Sequence, residues 1–115
     1  MKPISFTISG LRLVSELNAH EHWRVRQKRA KLQRHAARVH VIGSLGGQNI
    51  FLPLRIVITR IAPRTLDSDN LQGAGKATRD GIADALGVND NDKRIDWDVQ
   101  QEKGPYAVRI QIEAA

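Results

Sequence analysis

A chain of 115 residues without a single cysteine fits one domain and excludes disulfides, thiolate metal sites and cysteine nucleophiles. Its 41% apolar content is that of a folded protein, but aromatics are few, so Ile, Leu, Val and Ala must build the core. The net charge of +6 favours a polyanionic partner, nucleic acid above all.

Ile4, Phe6 and Ile8 alternate with Ser5, Thr7 and Ser9, the period of a half-buried strand, and Gly10 ends it. The opening MKPISFTISG has no apolar run of the signal-peptide kind, and no stretch is long and apolar enough for a bilayer, so a cytoplasmic location is expected. From Asn18 to about Ile42 there is no Pro or Gly, which predicts a long helix with Asn18 as its N-cap. Its apolar residues fall on two stripes. Trp23, Ala30, Ala37 and Val41 form one; Val25, Leu32, Ala36 and Val39 form the other. Such a helix packs on two sides or breaks before Val39. Residues 21–40 also carry Arg24, Arg26, Lys28, Arg29, Lys31, Arg34 and Arg38 against Glu21 alone. This is a basic arm or, more blandly, a solvated helix face.

Gly43 to Asn49 is a surface loop. Ile50 to Ile61 is nearly continuous in apolar residues, which predicts a central strand covered on both faces, closed by Pro63. A second helix is predicted from about Asp69 to Leu86. At about 100° per residue, Leu71, Gly75, Thr78, Ile82, Ala85 and Leu86 share one side, and Asp69, Lys76, Asp80 and Asp84 the other. Gly87 ends it. Asn89 to Arg94 is a polar turn. Ile95, Trp97 and Val99 alternate with Asp96, Asp98 and Gln100 as a strand. Lys103-Gly104-Pro105 then turns into Tyr106, Val108, Ile110 and Ile112 to complete a hairpin. The expected fold is α+β: a single domain over residues 1–115 in the order β-α-β-α-β-β, with one mixed sheet of about four strands packed against two main helices.

The chemistry concentrates in Leu66-Asp67-Ser68-Asp69-Asn70-Leu71, between the central strand and the second helix. In extended backbone Asp67 and Asp69 point the same way, so a proton or a cation must relieve their repulsion. Hard oxygen ligands suit Mg²⁺ or Mn²⁺. Asp90 or Asp92, beyond the same helix, completes such a site if the chain folds back. The competing reading makes Asp67 and Asp69 helix caps and Asn89-Asp90-Asn91-Asp92 a solvated turn. Neither acidic segment has the glycine of an EF-hand loop, and His20, His22, His35 and His40 lack zinc spacing. No Walker-type phosphate loop is present. Gly73-Ala74-Gly75 precedes Lys76, but inside the helix.

Asp67-Ser68-Asp69-Asn70-Leu71, Lys76-Ala77, Asp80-Gly81-Ile82-Ala83-Asp84-Ala85-Leu86-Gly87 and Asn89-Asp90 together resemble the RusA family of Holliday junction resolvases, the phage-borne branch most closely. The likeness covers about residues 64 to 99. Leu17-Asn18-Ala19-His20-Glu21-His22-Trp23-Arg24, with the basic helix after it, resembles that branch too. The resemblance implies a homodimer that nicks four-way DNA junctions in pairs with Mg²⁺, in recombination and repair. It places the metal-binding aspartates on Asp67, Asp69 and Asp90, with Asp92 as a spare ligand. Asn89 stands where many members carry the first acid of the pair. The family's essential lysine falls on Gly73 here; Lys76, one helical step further on a similar face, is the substitute. On this reading Asp67, Asp69, Asp90 and Lys76 are catalytic. The metal acidifies a water, Lys76 stabilises phosphate charge, and Arg24, Arg26, Lys28, Arg29, Lys31 and Arg34 hold the DNA backbone. Two other classes compete: a non-catalytic nucleic-acid-binding module with capping aspartates, and a small RNA-binding or ribosome-associated protein.

Overall fold

Seven elements alternate along the chain in a computed structural model that describes residues 1–15 and 22–115. They are β1 (Ile4–Ser9), α1 (Trp23–Leu45), β2 (Leu54–Ala62), α2 (Ser68–Ala74), α3 (Lys76–Leu86), β3 (Ile95–Lys103) and β4 (Ala107–Ala114). The β-α-β-α-β-β order and the single mixed four-stranded sheet are those expected from the sequence, with the second helix divided in two.

The sheet order is β1-β4-β2-β3. β2 pairs parallel with β3 and antiparallel with β4, which also pairs antiparallel with β1. The expected β3–β4 hairpin does not form. β2 lies between the two strands, and Lys103-Gly104-Pro105 carries the chain across its end. Gly104 N–H donates to the Ala62 carbonyl at 3.0 Å, and a Cβ on Gly104 would stand 2.9 Å from Ile61 Cγ2. A strand with apolar residues along its whole length gains more by pairing on both edges than a hairpin at the sheet margin would gain.

Register stacks the core in rows. Ile4, Ile112, Ile56 and Trp97 are lateral neighbours, followed by Phe6, Ile110, Ile58 and Val99. This face meets Ala37 and Val41 of α1 and Ile82 and Leu86 of α3. The other face carries Arg55, Asp96, Asp98, Arg109 and Glu102, joined as Arg55–Asp96, Arg55–Asp98 and Arg109–Glu102 ion pairs. Both faces of β2 are largely buried, as expected, but helices lie on only one of them. Val57 and Thr59 are buried on the second face, flanked in register by Gln111 and Asp98 and by Arg109 and Gln100. Residues 50–53, expected as strand, precede it; β2 begins at Leu54.

α1 begins at Trp23, where the His22 ring accepts from Arg24 N–H, and runs to a left-handed Gly46. The predicted cap Asn18 lies outside the described residues. The helix does not break before Val39. Its first apolar stripe is only partly the buried one: Gln33, Ala37 and Val41 face the core, while Trp23 is half exposed. The predicted Asp69–Leu86 helix breaks at Gly75, whose N–H still bonds back to Leu71 and Gln72 and against which Val99 packs. The close approach between helices occurs at Gly81, where a Cβ would lie 2.2 Å from the Arg34 carbonyl oxygen and 3.0 Å from Ala37 Cβ. No helix among the described residues is long and apolar enough to cross a membrane.

Candidate functional site

The acidic motif begins just past the end of β2. Leu66 is clamped to β3: its N–H donates to Gln101 Oε1 at 2.9 Å and its carbonyl accepts from Gln101 Nε2 at 2.7 Å. The next residue, Asp67, is extended and caps α2, accepting from the Asn70 N–H at 2.9 Å and from Asn70 Nδ2 at 2.9 and 3.0 Å. An Ncap carboxylate is stabilised by the unsatisfied donors and the positive end of the helix dipole, which explains Asp at this position. Asn70 is buried and also bonded to Ser15, so the cap is tied to the segment following β1. Asp69, in the first turn of α2, is exposed and has no hydrogen-bond or ion-pair partner among the described residues.

The other acidic motif residues lie at the far end of α3. Lys76, at its start, donates to Asp80 Oδ1 at 2.7 Å, one helical turn on, and to Asp90 Oδ2 at 2.8 Å. These bonds, Asp80's first and then Asp90's, hold the ammonium above its ordinary pKa, and the Lys76 bond holds the Asp90 carboxyl below its own. The Asp90 backbone is fixed from two sides: its carbonyl accepts from Arg79 Nη2 at 2.9 Å and from Trp97 Nε1 at 3.1 Å. Arg79 in turn stacks on the Trp97 ring at 4.9 Å. Arg79 is the residue that sequence reasoning missed here; its only signal was its place three residues after Lys76 on a helix. Asp92 turns away to Arg94, at 2.8 Å, whose hydrogen bonds pull its carboxyl down to about 2.

Three of the four aspartates, Asp67, Asp90 and Asp92, thus each have a different partner. Leu66 and Asp90 are anchored to β3 at Gln101 and Trp97, four residues apart, or roughly 13 Å along a strand. Among the described residues no three Asp, Glu or His side chains converge where one ion is held. Asp67 is occupied by its cap, Asp90 by Lys76 and Asp92 by Arg94. As arranged, Asp67, Asp69, Asp90 and Asp92 form no shared ligand set among the described residues. The pairing that does form between distant motif members is Lys76 with Asp90.

α1 supplies the opposite wall. A cleft of about 360 Å³ runs between the helices, lined by Arg26, Ala30 and Gln33 of α1 and by Gly73, Lys76, Ala77 and Asp80. It continues past Lys31 and Arg34. The basic arm is not uniform. Arg34 is bound bidentately to Asp84 at 2.6 and 2.9 Å, which raises its pKa and lowers that of Asp84. Arg29 also has a partner. Arg24, Arg26, Lys28 and Lys31 form no side-chain hydrogen bond or ion pair among the described residues, though Arg24 lies over the Trp23 ring at 5.4 Å.

Three buried polar side chains, of which the sequence singles out only Asn70, pin residues 12–15 over this layer. Gln33 Nε2 donates to the Arg12 carbonyl at 2.7 Å, Arg60 Nε to the Leu13 carbonyl at 2.6 Å, and Asn70 meets Ser15. Burial lowers the Arg60 pKa, and the carbonyls of Leu13 and Arg64 accept from its Nε and Nη1. Compared with known proteins, the chain matches no family model and no curated protein.

Proposed function

We propose that the chain is a structure-selective DNA endonuclease of the RusA type, acting as a homodimer on four-way junctions with Mg²⁺, or Mn²⁺ in its place. The observation that carries this reading is the Lys76–Asp90 contact. Two motif residues fourteen apart in the chain meet at 2.8 Å. They meet on the helix pair whose other side carries the unpaired cations of α1. A cationic wall facing a lysine–carboxylate pair suits a phosphodiester backbone, which Arg24, Arg26, Lys28 and Lys31 would hold without reading sequence. Lys76 is placed to offset charge on a phosphate once it exchanges Asp90 for that ligand. The carboxylates as arranged offer Mg²⁺ no shared cage, so the metal requirement rests on the motif alone.

A second reading has its own support. Asp67 caps α2 and Asp92 closes a turn with Arg94, as they would in a nucleic-acid-binding module with no catalytic role.

One assay separates the two. A labelled four-way junction and a matched duplex are incubated with the protein, with and without Mg²⁺ or Mn²⁺. The nuclease reading expects metal-dependent nicking of the junction. Asp69→Asn should lower it about 100-fold or more while leaving junction binding intact. Binding without cutting under either metal would leave the second reading standing.

A further inference from the structure

Of the second apolar stripe of α1, Ala36 packs against the core, but Val25, Leu32 and Val39 stay exposed. Gln33 points into the core, and Arg34, about 100° round the helix, reaches across to Asp84 of α3. Leu32, about 100° the other way, is left on the flank away from α3. It is 61% exposed, with Val25 at 48% and Val39 at 49% in line with it. The three are seven residues apart, which repeats the seam every two turns, at about 10.5 Å. Each is preceded by a cation, Arg24, Lys31 and Arg38, and α1 contains no acid at all. None of the three cations makes an ion pair within 4 Å among the described residues, though Arg38 joins Arg34 in holding the Asp84 carboxyl below its ordinary pKa.

We infer that this flank docks an acidic amphipathic helix of a partner protein. The partner would place apolar residues at heptad spacing against Val25, Leu32 and Val39, and Glu or Asp opposite Arg24, Lys31 and Arg38. Charge decides between the occupants. A second copy laid antiparallel would set its own row of cations against this one, and laid parallel would bring no acid to it. A lipid surface needs a broad apolar face, whereas this strip widens only at Ile42, 50% exposed beside Val39, and is bordered by charge along its length. DNA would use the cations but gain nothing from the seam. An acidic helix satisfies both rows at once. The inference does not need the nuclease reading, but the partner helix would compete with DNA for Arg24 and Lys31.

The test uses a fluorescein-labelled designed peptide of about three heptads, with Leu at the seam positions and Glu flanking them, titrated with the full chain by anisotropy. Saturable binding is expected, weakening with salt. Leu32→Gln and Lys31→Glu should each weaken it about tenfold or more, and a peptide with Ser for Leu but the same charge should lose as much. Leu32→Gln is exposed enough to keep the fold, which circular dichroism checks. Three results would overturn the inference: equal binding of the Ser peptide, a dimer of the chain itself that Leu32→Gln dissociates, or Leu32-dependent uptake by vesicles of phosphatidylcholine and phosphatidylserine in preference to the peptide.

Discussion

α1 and α3 lie side by side with opposite charge, and their charges are used differently. Of the six α1 cations expected to hold DNA, four form no side-chain hydrogen bond or ion pair among the described residues. On α3 and just beyond it, Asp80, Asp84, Asp90 and Asp92 each hold a cation of this chain. A row of like charges on one helix has no local neutraliser, so it stays open to a ligand. Asp80 and Asp92 find a cation within a turn, Asp84 and Asp90 find Arg34 and Lys76 across the fold, and any cation arriving from outside must compete with them. The contrast favours a polyanion on α1 more directly than a metal on α3.

The strongest way to break the contrast is to part the helices. Gly81→Leu would drive a side chain into the Arg34 backbone, and a loss of about 3 kcal/mol or more is expected in urea unfolding. A neutral result would mean the seam is not as close as described. A smaller effect tests the open row. Changing Arg24, Lys28 and Lys31 together to Gln should weaken junction binding about tenfold or more. It should also flatten the salt dependence by about 0.9 in log–log slope for each phosphate no longer neutralised. An unchanged slope would assign DNA to another surface. Asp67→Ala removes a cap and should cost about 1 kcal/mol in thermal unfolding; loss of nicking at unchanged stability would instead make it a ligand. The smallest effect belongs to Asp92. Its carboxyl is lowered from 3.8 to about 2, so its contribution to stability is present above about pH 4 and lost as pH falls towards 2. Asp92→Asn should therefore flatten part of the acid dependence of unfolding in that window and leave the pH dependence near neutrality unchanged.

Much of the molecule was legible along the chain. Alternation in Ile4–Ile8 and in Ile95–Val99 marks strands because a strand turns its side chains with period two, whatever surrounds it. Gly87 ends α3 because a left-handed residue there is cheapest as glycine. The break at Gly75 was less plain, since its side of the helix is apolar on both halves of the break. The hairpin expectation failed for a different reason. β3 and β4 are joined by a tight turn, yet only the competition between edges, won by the apolar β2, decides which strands pair.

The same division holds for the site. The sequence by itself determined the charge segregation and the two stripes of α1, because these depend on residue type and helical or strand period alone; it left Asp67 open between cap and ligand. Tertiary structure decided the rest. It brought Lys76 to Asp90, sent Arg34 to Asp84, gave Asp67 and Asp90 different partners, and left the stripe of Val25, Leu32 and Val39 uncovered. Those outcomes depend on which elements become neighbours. Local period cannot specify that, because side chains far apart in the chain meet only after the sheet has chosen its order.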